Sequence, residues 1–237
     1  MKPRVVTSPD SASWPEMATK TLIPEIEEAI ARRGVCHLML TGGQTVERLY
    51  QYWAESSALP LSQLKFWFGD ERCVSPDHAD SNYALFVNTL FMSGVPSNCK
   101  VMRMEAERSD RKCAAKEYAQ QLPEALDILL LGMGPDGHIA SLFPHSPLLQ
   151  SSSESVVPVT GPKPPFDRLT ITPQVIERAR SVFLLATGKE KGTVLAEALQ
   201  ASDDYQTLPV RLTINGTWLL DSDATEAIQN HSSTETK

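Results

Sequence analysis

The residues best placed to do chemistry lie in the run Gly132-Met-Gly-Pro-Asp-Gly-His138. Three glycines and a proline force a tight turn, which presents Asp136 and His138 two residues apart. An imidazole that titrates near neutral pH can take a proton from water. A neighbouring carboxylate can hold its tautomer and stabilise the imidazolium. The competing reading is a loop histidine satisfied by the backbone. His145 lies seven residues further on, but the spacing is not H-x-x-x-H and no third ligand stands out, so no metal is expected.

Three other polar clusters carry possible function. Thr41, Gly42, Gly43, Gln44 and Thr45 open a helical pattern. Glycines let backbone N–H groups approach an anion, and a helix N-terminus favours negative charge. The run is neither a Walker A sequence nor G-x-G-x-x-G, so it does not imply a nucleotide; a plain strand-to-helix turn would read the same. Asp70, Glu71 and Arg72 set two carboxylates beside a guanidinium. This suits substrate binding, with Arg72 on a phosphate or carboxylate oxygen, or a structural ion pair. Lys189 and Lys191 begin a helical pattern, where the dipole disfavours cations unless an anion joins them; one of the two is expected to be a solvated surface lysine. Arg168 is a further candidate phosphate ligand.

Each cluster except Arg168 follows directly on a short apolar run that reads as a strand: Val35–Leu40, Leu64–Phe68, Leu126–Leu131 and Val182–Ala186. Continuous apolar strands indicate a sheet covered on both faces. Helical patterns lie between them: Ala12–Arg33 with a C-cap at Gly34 and a kink or division at Pro24, Thr45–Trp53, Asn82–Phe91, Asp110–Leu122 and Glu190–Leu199. The alternation predicts an α/β fold, a mostly parallel, doubly wound sheet with helices on both faces. In such sheets ligands bind beyond the strand carboxyl ends, so the four clusters should converge on one site.

A single domain is expected over residues 1–228, with a flexible polar tail over 229–237. The Ser- and Pro-rich stretch Ser151–Pro165 reads as a surface loop, with strand signals resuming at Arg168–Thr172. Asn215-Gly216 within Thr207–Leu220 predicts a small β-hairpin near the C-terminus.

The chain has 237 residues and a formal net charge of −7. That balance argues against a nucleic-acid partner, which needs a basic surface, but allows a locally positive pocket. No apolar stretch approaches the ~20 residues that span a bilayer, so no membrane partner is expected. The N-terminus lacks the apolar region of a secretory signal. The four cysteines, Cys36, Cys73, Cys99 and Cys113, form no C-x-x-C pair. Cys73 has no evident base partner and reads as packing. A reducing, cytoplasmic compartment follows.

In this order, the motifs resemble the 6-phosphogluconolactonase family, whose fold is shared with glucosamine-6-phosphate deaminases. The resemblance runs from about Leu38 to Leu195. It is carried by Asp70-Glu-Arg-Cys-Val74 with Ser81-Asn82-Tyr83, by Gly132 to Pro144, by Arg168-Leu-Thr-Ile-Thr-Pro173 and by Thr187-Gly-Lys189. Ile139-Ala-Ser-Leu-Phe-Pro144 follows the lactonase pattern, where deaminases carry an Asn-Glu-Pro segment. Arg72 stands where deaminases usually carry Tyr. The family's first loop usually reads Gly-Gly-Ser-Thr-Pro; here Gln44 and Val46 replace the Ser and the Pro.

The resemblance implies hydrolysis of 6-phospho-D-glucono-1,5-lactone to 6-phosphogluconate, in the oxidative pentose phosphate pathway and without a cofactor. The implied catalytic group is His138, Asp136 and Arg72. The implied substrate and phosphate ligands are Thr41, Gly42, Gly43, Gln44, Thr45, Asp70, Arg168 and Lys189, with Arg72 serving either end. The partner is a small phosphorylated sugar lactone, and a monomer or weak dimer is expected. Two alternatives are an amino-sugar phosphate deaminase with Asp70 as base and a non-catalytic sugar-phosphate sensor.

Overall fold

A computed structural model describes residues 2–92, 94–150, 152–200 and 205–234. The elements run β1 (Arg4–Thr7), α1 (Trp14–Arg33), β2 (Cys36–Leu40), α2 (Gln44–Ser56), β3 (Leu64–Phe68), β4 (Asp70–Arg72), α3 (Asn82–Leu90), β5 (Lys100–Val101), α4 (Arg111–Gln121) and β6 (Ile128–Gly132). Then follow β7 (Val156–Thr160), β8 (Asp167–Ile171), α5 (Pro173–Arg178), β9 (Ser181–Ala186), α6 (Lys189–Gln200), β10 (Thr217–Leu220) and α7 (Ser222–Thr234).

Seven strands form one parallel sheet in the order β1-β10-β9-β6-β2-β3-β5. Side chains alternate across its faces, and both faces are dry. Leu38 and Leu40 of β2, Phe66 and Phe68 of β3, and Leu130 of β6 pack with α1, α2 and α3 on one side. Met39, Trp67, Leu129 and Leu131 pack with α4, α5, α6 and α7 on the other. Two-sided burial is why these strands read as continuous apolar runs. Helix α1 stays continuous through Pro24 and ends at Gly34, whose left-handed backbone (φ 74°) donates its N–H to Ile30 O.

The chain winds outward from β2 through β3 to β5, then returns to β6 and proceeds through β9 and β10 the other way. The strand order therefore reverses between β2 and β6, and the crevice beyond their carboxyl ends is the favoured ligand position. The loops after these two strands are Thr41–Gly43 and Met133–His138.

A second sheet of three antiparallel strands, β4-β8-β7, stands beside this edge. The small antiparallel element is thus present, but not where the Asn215-Gly216 turn predicted it. There, Pro209–Thr213 is a 3₁₀ helix, and β10 pairs in parallel with β9 and β1. Pro209 leaves one fewer N–H for a ladder and fits a helical first turn, so the turn joins a helix to a strand. Within the stretch read as a surface loop, Val156–Thr160 is strand β7, recruited by pairing with β8. Helix α7 continues across 229–234, where the composition suggested a tail; residues 235–237 lie outside the described ones.

Candidate active site

The loop after β6 is a closed turn. Gly134 N donates to His138 O at 2.9 Å, and Gly137 N to Gly134 O at 3.1 Å. The imidazole lies against Gly134 so closely that a Cβ there would sit 2.1 Å from His138 Cε1. Any other residue type would have to displace the imidazole or the Asp136 carboxylate. His138 Nδ1 is 2.5 Å from Asp136 Oδ1, and Phe143 packs on the ring at 4.8 Å between centroids. Asp136 sits on the outer rim, its side chain 43% exposed against 25% for His138. Burial pushes the Asp136 carboxyl up, but the His138 charge and hydrogen bonds outweigh it and leave the carboxyl below its ordinary value. With Nδ1 facing a carboxylate, Nε2 is the nitrogen left to exchange a proton with a reactant.

Helix α2 starts at Gln44, with Gly43 as its N-cap. Gly43 has φ 100°, a conformation open to glycine, and provides no side chain to cap the first turn. The first-turn N–H groups of α2 are therefore left for a ligand. Thr41 braces this loop against the His138 loop: its Oγ1 accepts from Gly132 N at 3.2 Å, and its carbonyl accepts from Tyr50 Oη at 2.8 Å. Gly42, Gly43, Gln44 and Thr45 all line the cleft together with His138.

The second sheet delivers the arginines. Arg72 of β4 stands opposite Arg168 of β8 in the antiparallel register, and both line the cleft. Arg72 Nη1 donates to Asp80 O at 2.6 Å, while its buried Nε has no partner among the described residues. Arg168 donates from Nε to Pro165 O at 3.0 Å and lies over Phe143, 5.5 Å from the ring centroid. Burial, with the Arg72 charge adding to it, pulls Arg168 below its usual value, and the Asp70 carboxylate opposes them. Two guanidiniums side by side suit a multiply charged anion.

Asp70 lines the same cleft but is engaged through both oxygens. Oδ2 accepts from Ser141 Oγ at 2.7 Å and Oδ1 from Asn82 Nδ2 at 3.1 Å. It is the one carboxylate among the described lining residues. Its neighbour Glu71 does different work. This buried carboxylate accepts from Arg72 N, Asn82 N, Tyr83 N and Ser81 Oγ at 2.7–3.1 Å, and so secures the start of α3.

Lys189 does not reach the cleft. It is exposed at the first position of α6. Lys191, two residues on and so on a different side of the helix, lines the cleft and donates from Nζ to Thr45 Oγ1 at 3.1 Å. Of the two lysines, Lys191 is the one that lines the cleft. Burial pulls the Lys191 ammonium below its ordinary 10.5. Asn82 and Ser141 also belong to the site and carried no chemical signal of their own in sequence; they matter through Asp70. The described residues hold no cluster of three or more His, Cys, Asp or Glu side chains that could hold a metal.

Residues 9–219 match the family of glucosamine-6-phosphate isomerases/6-phosphogluconolactonase. The 6-phosphogluconolactonase of Streptomyces coelicolor is 35% identical over 244 aligned positions, covering 94% of this chain and 93% of its own. The solved 6-phosphogluconolactonase from Trypanosoma cruzi superposes with a TM-score of 0.80 at 28% identity, covering 95% of this chain and 96% of that one. A monomeric glucosamine-6-phosphate deaminase superposes with a TM-score of 0.81 at 20% identity, covering 94% and 99%. That last likeness concerns the fold alone.

Proposed function

The chain belongs to the glucosamine-6-phosphate isomerase/6-phosphogluconolactonase family, and on that premise we propose that its cleft hydrolyses 6-phospho-D-glucono-1,5-lactone to 6-phospho-D-gluconate. The observation that carries the reading is the 2.5 Å contact between His138 Nδ1 and Asp136 Oδ1 at the rim of a cleft whose charged lining is Arg72, Arg168 and Lys191 with the hydrogen-bonded Asp70. One end of such a site activates water, and the rest holds a dianion.

In this mechanism His138 Nε2 takes a proton from a water that attacks the ring carbonyl carbon. Asp136 holds the tautomer and stabilises the imidazolium. The tetrahedral oxyanion is met by backbone N–H groups of the Gly42-Gly43 loop. Collapse breaks the bond from the carbonyl carbon to the ring oxygen. His138 returns its proton to that oxygen, giving the open hydroxy acid, which ionises to the carboxylate. No protein nucleophile and no cofactor enters these steps. Lys191, Thr45 and the start of α2 bind the phosphate. Arg72 and Arg168 add positive charge along the substrate, and this remote binding positions the carbonyl for attack.

The deaminase alternative needs Asp70 as the proton-abstracting base, and it fits less well with a carboxylate hydrogen-bonded through both oxygens. Four free thiols fit work in a reducing cytoplasm, and a small diffusible substrate asks for no more than a monomer or weak dimer.

His138→Ala should lower kcat by about 10²–10⁴-fold, measured as lactone loss corrected for spontaneous hydrolysis. Turnover near wild type would remove His138 from the mechanism. Wild type should prefer the phosphorylated lactone over gluconolactone in kcat/KM; equal values would defeat the phosphate assignment.

A further inference from the structure

Strand β10 ends at Leu220, and the next residue, Asp221, is 1% exposed. It does not line the cleft. Its carboxylate accepts from two backbone N–H groups in different elements. Gly188 N lies 2.9 Å from Oδ1 and 3.2 Å from Oδ2, and Ala224 N lies 3.0 Å from Oδ1. The second contact caps α7. The first reaches the turn that starts α6, because Gly192 N donates back to Gly188 O at 3.2 Å.

Strands β9 and β10 are adjacent and parallel, so α6 and α7 leave from the same edge of the sheet. One buried carboxylate therefore ties both helix starts together. Lys191 stands three residues after Gly188. Its Nζ donates to Thr45 Oγ1, which is itself 3.2 Å from Thr187 Oγ1, just before the Gly188 turn. The direction of the Lys191 side chain thus depends on how that turn is held. Burial works against the Lys191 ammonium, and the Asp221 charge acts the other way.

We propose that Asp221 is a positioning residue for the anion end of the cleft, holding the Gly188 turn so that Lys191 faces the start of α2 and placing a buried negative charge at that turn. This rests on the proposed function only in taking the anion to be the substrate's phosphate. Asp221 acts through Lys191 and touches no reacting atom.

The test uses inorganic phosphate titrated calorimetrically into the full chain. Asp221→Asn keeps one acceptor oxygen and removes the charge. It should weaken phosphate binding about tenfold, as should Lys191→Ala. The double variant should bind no more weakly than Lys191→Ala alone, since both changes act on one interaction. With the phosphorylated lactone, Asp221→Asn should raise KM about tenfold and leave kcat within about twofold, while gluconolactone turnover is unchanged. A purely structural role would lower both substrates' kcat together. If Asp221→Asn does not fold, Asp221→Ser carries the same test, because serine still caps α7. Equal phosphate affinity in wild type and variant overturns the inference, as do fully additive losses in the double variant. Either result leaves the hydrolase reading standing, since that reading turns on His138→Ala. Absence of lactone turnover in wild type, with the phosphate results as expected, would do the reverse.

Discussion

At the scale of single residues, the site separates groups that look alike in sequence. Asp136 and Asp70 are both carboxylates beside chemistry, but Asp136 faces an imidazole on the rim while Asp70 is hydrogen-bonded through both oxygens by Ser141 and Asn82. Lys189 and Lys191 are two residues apart, and only the second is drawn inward to Thr45. Lys191→Ala should therefore raise KM for the phosphorylated lactone by about tenfold or more, and Lys189→Ala should leave it within about twofold. Equal effects would undo the assignment. Burial lowers the Lys191 value below 10.5, so its charge is lost earlier on the alkaline side than for an exposed lysine. KM for the phosphorylated lactone should begin to climb before pH 10.5, and KM for gluconolactone should not follow it.

At the scale of elements, the active-site loops are held by neighbouring elements as well as by their own glycine turns. Thr41 ties the loop after β2 to the loop after β6. Glu71 gathers four donors from β4 and the start of α3, and thereby sets Asn82 against Asp70. Burial pushes this carboxyl up, and the three backbone donors partly offset the effect. Glu71→Ala would strand these donors in a buried place. It should cost about 3 kcal/mol, seen as a Tm lowered by about 6–12 °C for a chain of this size. A Tm within about 2 °C of wild type would show that the α3 start is held by other means.

At the scale of the whole molecule, one parallel sheet with two dry faces places every functional loop at one edge. The reversal of strand order between β2 and β6 opens the crevice, and the small antiparallel sheet brings two arginines to it. The opposite end of the strands does structural work: Asp127 pairs with Arg33 at 2.7 Å and accepts from His37 N at 2.8 Å. Cys36, at the start of β2, is fully buried, and burial together with the nearby Asp127 charge pushes its thiol up to about 12. Its alkylation by iodoacetamide at neutral pH should follow global unfolding as denaturant is raised, while Cys113, partly exposed on α4, reacts in the native state. Native-state labelling of Cys36 would mean that this end of the sheet opens locally.

The sequence by itself determined the central strands, the helices between them and the loops at which chemistry collects. Those features are written in local patterns: apolar runs buried on two faces, helical periodicity and glycine-dependent turns. It also singled out His138 with Asp136, since a tight turn forces residues two apart into contact. The tertiary structure alone decided the rest. Strands β1 and β7 are short and owe their form to a pairing partner. Helix α7 has a weak apolar stripe and is held by packing on α6. The hairpin signal at Asn215-Gly216 yielded to a 3₁₀ helix and a parallel strand. Lys191 rather than Lys189 faces the cleft because of the angle at which α6 leaves β9, and Arg72 meets Arg168 only through a ladder between strands 96 positions apart in the chain. Such outcomes depend on contacts between distant segments, and no local pattern encodes them.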